Sequence, residues 1–341
     1  MHTRRIASLE VSALGLGCMN LSHGYGSADK RTSATVLNRA LDLGCTFLDT
    51  ATVYGDGANE SLIGQHLQSR RRSFTLASKC GLSADGIDGR PETLLRQIDA
   101  SLIRTRTDVI DLYYLHRADP NVPIEESVGA MGRMVEAGKV REIGLSEVST
   151  GQLERAVNEH PVAAVQSEYS LWSRTPEHGM LDACRRLGVT FVPFSPLGRQ
   201  FLTGRARDVS ALPDDDLRCT IARPRFEPDA FKANQALLVP FSEIAERESC
   251  TMAQLALAWL LNGADRSLVP IPGTKHPDWL AENFAAGDRL LSGETMQELD
   301  RLFDESRVTG TRYTLDRMTD SDAERDRLPS VGQDAGQEPR P

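Results

Sequence analysis

The segment ALDLGCTFLDT, residues 40–50, reads as the end of a helix, a glycine, and a strand that finishes on a carboxylate. Gly44 suits the left-handed position that closes a helix. Residues 46–49 have the β-branched and aromatic composition of a strand. The same unit returns in MVEAGKVREIGLS (residues 134–146) and CRRLGVTFVPFS (residues 184–195). Amphipathic segments lie between these units. In PETLLRQIDASLIRT, Leu94, Leu95, Ile98 and Leu102 share one helical face, and Pro91 stands where a first turn tolerates it. In IEESVGAMGRMVEAG, Ile124, Val128, Met131 and Val135 do the same, and Gly138 ends the helix.

Eight strands are expected, near residues 14–17, 46–49, 74–78, 110–115, 140–145, 163–166, 189–194 and 267–270. Helical segments separate them almost throughout, and strand-helix alternation with short links implies a parallel sheet. Eight such units in about 300 residues predict an α/β fold, a closed (β/α)8 TIM barrel forming one domain over residues 1–317. A doubly wound sheet is the competing architecture. It is disfavoured because neither GLGCMN nor GYGSAD completes the GxGxxG pattern. Two stretches break the rhythm. Residues 204–230 read as a long functional or mobile loop after the seventh strand. Residues 318–341 are so polar that a disordered tail is expected.

Composition narrows the function classes. The 341 residues carry a formal net charge of -9 and are 40% hydrophobic, with a pI near 5.4. That excludes a sequence-independent nucleic-acid binder, which needs a basic face. No run is apolar enough to span a bilayer, and MHTRRIASLE has no apolar stretch of a secretory signal. Cys18, Cys45, Cys80, Cys184, Cys219 and Cys250 show no CxxC spacing, so reduced cytoplasmic thiols are expected rather than disulfides or a metal site. Only five lysines occur, among them Lys79 and Lys275, so a lysine inside a motif carries some weight.

Four polar residues stand at or just past the ends of strand-like runs: Asp49, Tyr54, Lys79 and His116. An acid, a phenol, an ammonium and an imidazole there point to an assembled site at the C-terminal end of a barrel. Lys79 at the end of an apolar run needs a partner, and Asp49 is the natural one. The cation would also make the Tyr54 phenol a better proton donor. Three of the four have a plainer reading: Asp49 as a helix cap, Tyr54 as turn packing, His116 as a structural histidine.

The chain resembles the aldo-keto reductase family over roughly residues 6–313. The resemblance rests on LEVSALGLGCMNLS, FLDTATVYGDGANESLIG, LASK, DLYYLHR, KVREIGLSE, VQSEYSLWSR, FSPLGR and VPIPGTKHPDWLAENF, in that order. It implies a barrel that binds NADPH/NADP+ at its C-terminal face and passes hydride to an aldehyde or ketone. Tyr54 is then the general acid, with Lys79, Asp49 and His116 around it. Ser146 and Gln166 would bind the nicotinamide carboxamide, Phe194 would stack on the ring, and Cys18, Met19 and Asp49 are further expected cofactor contacts. Ser195, Pro196, Leu197, Gly198 and Arg199 would follow the phosphates with Arg205. Gly273, Thr274 and Lys275 would hold the 2′-phosphate, with Glu282 and Asn283 at the adenine.

There are departures from the family pattern. Glu147 stands where asparagine is frequent, and a carboxylate cannot donate a hydrogen bond, so its role is open. His276 and Trp279 stand where arginine or another polar residue is common, which implies a thinner clamp with NADH as an alternative cofactor; Arg205 and Arg225 could supply charge. Trp279 reads equally as core packing, and Met19 with Trp172 as an apolar substrate wall. A monomer acting on a small carbonyl compound is expected, without nucleic acid, membrane or metal. Two other readings stand beside it: a redox-responsive partner of a membrane channel, and an aldolase-type barrel with Lys79 as a Schiff-base lysine.

Overall fold

The computed structural model describes residues 2–206, 208–263 and 268–318. Among these, seven parallel strands form one sheet: Leu16–Gly17, Phe47–Asp49, Thr75–Cys80, Ile110–Leu115, Val140–Ser146, Ala164–Glu168 and Thr190–Phe194. Each pairs in parallel with the next, in chain order. Gly44, Gly138 and Gly188 all take positive φ, 83°, 71° and 69°. An added Cβ would meet nothing there, so backbone conformation alone makes glycine the fitting residue. Helices Pro91–Thr105 and Ile124–Glu136 form as the apolar spacing predicts, burying Leu94 and Ile98 on one and Ile124, Val128 and Met131 on the other.

The expected eighth strand is where structure and expectation differ. Residue 267 lies outside the described residues, and residues 268–272 form no regular strand, yet they close the barrel. The N–H groups of Val269 and Ile271 donate to the carbonyls of Phe191 (3.1 Å) and Pro193 (3.0 Å). On the other side, Gly15 and Gly17 donate to the carbonyls of Pro270 (2.9 Å) and Pro272 (3.2 Å). Both prolines lack an N–H to return, so the ladder toward the first strand is half made.

A hairpin that the sequence reading did not foresee, Thr3–Ile6 with Leu9–Ser12, precedes the barrel. Its Ile6 and Val11 pack with Phe47, Ala77, Leu112, Tyr114, Ala164, Val192, Val269 and Ile271 in one buried cluster. Those eight side chains come from the second, third, fourth, sixth and seventh barrel strands and the closing segment. The hairpin therefore stoppers the interior core from one end. A larger core lies between the strands and the outer helices.

Residues 204–230 do not float free. The segment crosses toward the first barrel loop, with Leu217 N–H donating to Gly24 carbonyl at 3.0 Å and Arg218 paired to Asp216 at 2.7 Å. Its last residues already belong to helix Pro228–Gln235. The boundary of the expected tail shifts by one residue: Met318 is buried at the end of the short helix Leu315–Met318. The remainder of that tail lies outside the described residues. All six cysteines are free thiols. Among the described residues no helix is long and apolar enough to cross a membrane.

One glycine inside the barrel is held by packing. Gly144 pairs with Tyr114 across two strands, and a Cβ on it would sit 2.5 Å from that ring. Gly144→Ala should lower unfolding free energy by about 1–3 kcal/mol through overpacking, read from the urea midpoint; an unchanged midpoint would mean that the Tyr114 ring has room to move.

Candidate active site

Side chains alternate along a strand, so residues two apart share a face. Starting from the buried interior layer, one step of two reaches the C-terminal rim: Phe47 leads to Asp49, Ala77 to Lys79, Tyr114 to His116, Ala164 to Gln166 and Val192 to Phe194. Gly144 leads likewise to Ser146. The pleat therefore sets a rim that is polar except for Phe194 directly above an apolar layer, and the rim borders a cavity of about 460 Å³. Tyr54 arrives differently, from the loop after Asp49. That loop is tied to the third strand by Thr50 N–H donating to Ala77 carbonyl (2.9 Å) and Thr52 N–H to Lys79 carbonyl (3.2 Å).

Lys79 is 1% exposed. Its Nζ donates to Asp49 Oδ1 at 2.5 Å, to the Thr50 carbonyl at 2.7 Å and to Tyr54 Oη at 3.3 Å. The second oxygen of Asp49 accepts from Gln166 Nε2 at 2.8 Å. Burial works against the ammonium, but Asp49 and Tyr54 more than offset it and hold Lys79 above the ordinary lysine value. An amine kept charged behind a phenol is a poor nucleophile, which sets the Schiff-base reading aside. Asp49 is not a helix cap either, because the next helix, Ala58–Leu67, is capped at Gly57.

Lys79 acts on the Tyr54 phenol in the expected direction, but burial acts the other way and prevails. Burial raises its phenol above the ordinary value, and Lys79 offsets only part of that. The cation thus limits the rise and does not make the free phenol more acidic than usual. His116 is driven well below the ordinary histidine value by burial, then by Arg117 and Lys79. It is neutral at pH 7, with Nδ1 buried and lacking a hydrogen-bond partner among the described residues. The Tyr54 and His116 rings meet edge to face, their centroids 5.8 Å apart.

Most of the residues expected at the cofactor line this same cavity: Met19, Asp49, Ser146, Gln166, Phe194, Ser195, Pro196, Leu197, Arg199, Arg205, Gly273, Thr274, Lys275 and Asn283. Four do not. Cys18 is wholly buried, and its N–H donates to the Asp49 carbonyl at 2.8 Å. Gly198 sits behind the lining residues, where a Cβ would come within 3.0 Å of Trp172. Lys79 lies beneath the surface, and Glu282 turns to Arg205 (2.7 Å). The loop after the seventh strand takes left-handed φ at Ser195 (48°), Gly198 (57°), Arg199 (53°) and Gln200 (80°). Successive unusual backbone conformations of this kind build anion-binding concavities. Two side chains with both donors and acceptors (Ser146, Gln166), an aromatic face, this loop and two cations fit an elongated anionic dinucleotide.

The far end of the cavity is richer than the sequence implies. Trp279 is no core residue: it is half-buried, its ring 3.9 Å from that of His276 and 4.8 Å from the Arg205 guanidinium. Lys275 Nζ donates to the carbonyls of Tyr25 (2.8 Å) and Ser27 (2.9 Å). Arg225, expected as a source of charge, is committed elsewhere, donating to the Trp172 carbonyl and to Ser173 Oγ (2.7 Å). Trp172 likewise leaves the cavity wall and stacks on Phe201 at 3.9 Å. The wall includes instead His23, Tyr25, Arg117, Arg218 and Tyr313. Arg117 was visible inside DLYYLHR, and its Nη1 donates to the His116 carbonyl (2.7 Å) and Ser146 Oγ (3.3 Å).

The profile of the Aldo/keto reductase family matches residues 13–304. The chain is 41% identical over 322 residues to aldo-keto reductase yakc [NADP(+)] of Schizosaccharomyces pombe, covering 91% of this chain and 94% of that protein. It is 40% identical over 311 residues to probable aldo-keto reductase 1 of Glycine max, with 89% of each covered. Among solved structures, the glycerol dehydrogenase AKR11B4 of Gluconobacter oxydans superposes with a TM-score of 0.80 at 26% identity, over 89% of this chain and 95% of that one. An aldo/keto reductase of Klebsiella pneumoniae in complex with NADP and acetate superposes at 0.68 with 27% identity, over 90% and 96%. A (β/α)8-type barrel with this rim, matched by sequence along nearly its whole length, is a member of the Aldo/keto reductase family.

Proposed function

We propose that this chain is a cytoplasmic, NADPH-dependent carbonyl reductase that converts an aldehyde or ketone to an alcohol, acting as a monomer. The observation that carries the reading is Tyr54 Oη on the cavity wall, 3.3 Å from an ammonium that is itself buried and paired. Bound NADPH supplies the hydride for the carbonyl carbon. As negative charge grows on the carbonyl oxygen, the Tyr54 hydroxyl donates a hydrogen bond to it and then its proton. The phenolate left behind faces Lys79, whose charge Asp49 and the Thr50 carbonyl keep aimed. Neutral His116 orients the carbonyl oxygen. Ser146 and Gln166 offer donors and acceptors to the nicotinamide amide, and Lys275 with Arg205 attracts a phosphate at the other end. NADH is the weaker alternative, because those two cations serve the extra phosphate.

Tyr54→Phe should lower turnover of a reactive aldehyde by about 10²–10⁴ while NADPH still quenches or shifts its fluorescence on binding; near-wild-type turnover would remove Tyr54 from the role of acid. The pH profile gives an independent check. A donor must be protonated to act, and burial holds the Tyr54 phenol above its ordinary value of 10.0. The rate of reduction at saturating NADPH and aldehyde should therefore stay level from neutral pH to about pH 9, and a fall centred near pH 8 would point to another acid. Lys275→Ala should weaken NADPH by about tenfold or more and NADH far less. Loss of its bonds to Tyr25 and Ser27 affects both cofactors alike, so equal weakening would mean that Lys275 does not reach the 2′-phosphate.

A further inference from the structure

Glu147, whose role the sequence leaves open, turns away from the cavity. It has a left-handed φ of 56° and is 1% exposed. Its Oε1 accepts from the Glu168 N–H (3.1 Å) and from Arg312 Nη1 (2.9 Å), and its Oε2 pairs with Arg312 Nη2. Arg312 also approaches Glu168 Oε2 at 3.6 Å. Glu168 in turn binds Arg199 Nη2 at 2.6 Å, and Arg199 Nη1 donates to the Arg312 carbonyl at 3.3 Å. These four charged side chains, two of each sign, are all buried. They join the rim of the fifth and sixth strands, the loop of residues 195–199, and the segment of residues 310–313 near the end of the described chain.

The next residue is the consequence. Tyr313 lines the cavity, and its ring is 4.6 Å from the guanidinium of Arg199 and 4.6 Å from that of Arg312. Buried ion pairs are seldom better for stability than apolar side chains of the same size, whereas removing one partner is costly. What such a network supplies is a single defined arrangement. We propose, resting on the reading of the site as a carbonyl reductase, that Glu147 is a positioning residue for substrate specificity. Through Arg312 it fixes Tyr313 as a wall of the carbonyl pocket, and through Glu168 and Arg199 it couples that wall to the cofactor loop. Substrates large enough to reach Tyr313 depend on this network, and small ones do not.

The test compares 2-naphthaldehyde with propionaldehyde. Glu147→Gln should raise the KM for 2-naphthaldehyde by roughly tenfold or more, with propionaldehyde parameters within about twofold of wild type. Tyr313→Leu, which leaves all four charges in place, should give the same size-dependent loss, and the double variant should be no worse than either single one. Coupling to the cofactor is read without turnover, as trypsin cleavage after the buried Arg312. NADPH should slow that cleavage in the wild type and fail to do so in Glu147→Gln. If Glu147→Gln does not fold, Arg312→Lys, which keeps the charge and loses the two-pronged fit to the carboxylate, should show the same KM pattern and the same loss of protection. Equal KM changes for both aldehydes, additive single variants, or undiminished NADPH protection would overturn the proposal. Wild-type protein inert towards both aldehydes would instead overturn the reading of the function on which it rests.

Discussion

A buried ammonium governs this molecule. Lys79 sits where an unpaired charge would cost several kcal/mol, and the surrounding structure answers that cost. Asp49 comes from the neighbouring strand, the Thr50 carbonyl from the turn that follows it, and Tyr54 from the end of that turn. Gln166 holds the second oxygen of Asp49 from across the barrel. The direct partners reach Lys79 when the second and third strands pair in register, and Gln166 reaches Asp49 only across the barrel. Satisfying one charge therefore places the Tyr54 hydroxyl at the cavity.

Beneath the charge, the pleat does the sorting. The interior layer is apolar, and the residues two positions later are polar apart from Phe194, so core and site are consecutive layers of the same strands. Gly144 shows how closely the two layers are matched, since its missing side chain leaves space for the Tyr114 ring, 5.9 Å from the Lys79 ammonium. The closing segment adds its own compromise. Pro270 and Pro272 give up two ladder donors on the side of the first strand, while Gly273 and Thr274 follow directly at the cavity.

Much of the site was legible because its determinants are local. Strand composition and a terminal polar residue mark Asp49, Lys79 and His116, and the glycine-strand units place them on successive strands. For Tyr54 the sequence shows the neighbouring cation, which acts as expected, and hides the burial that outweighs it. Arg225 and Trp172 were misplaced because each is long enough to serve two surfaces, and packing against Ser173 and Phe201 chose the one away from the cavity. The opening hairpin was overlooked because its strands are four residues each and half exposed.

The amino-acid sequence alone determined the barrel, its order of strands and the identity of the polar rim, because alternation and glycine-closed helices are encoded within a few residues of one another. It also carried the family, through motifs spread from residue 9 to residue 284. Only the tertiary structure decided how Glu147 is used, for its partner Arg312 is 165 residues away. The same holds for Lys275, bonded to carbonyls 250 and 248 residues away. Contacts at such separations leave no periodic trace. They arise when a closed barrel brings the ends of its strands, and the loops between them, to one face.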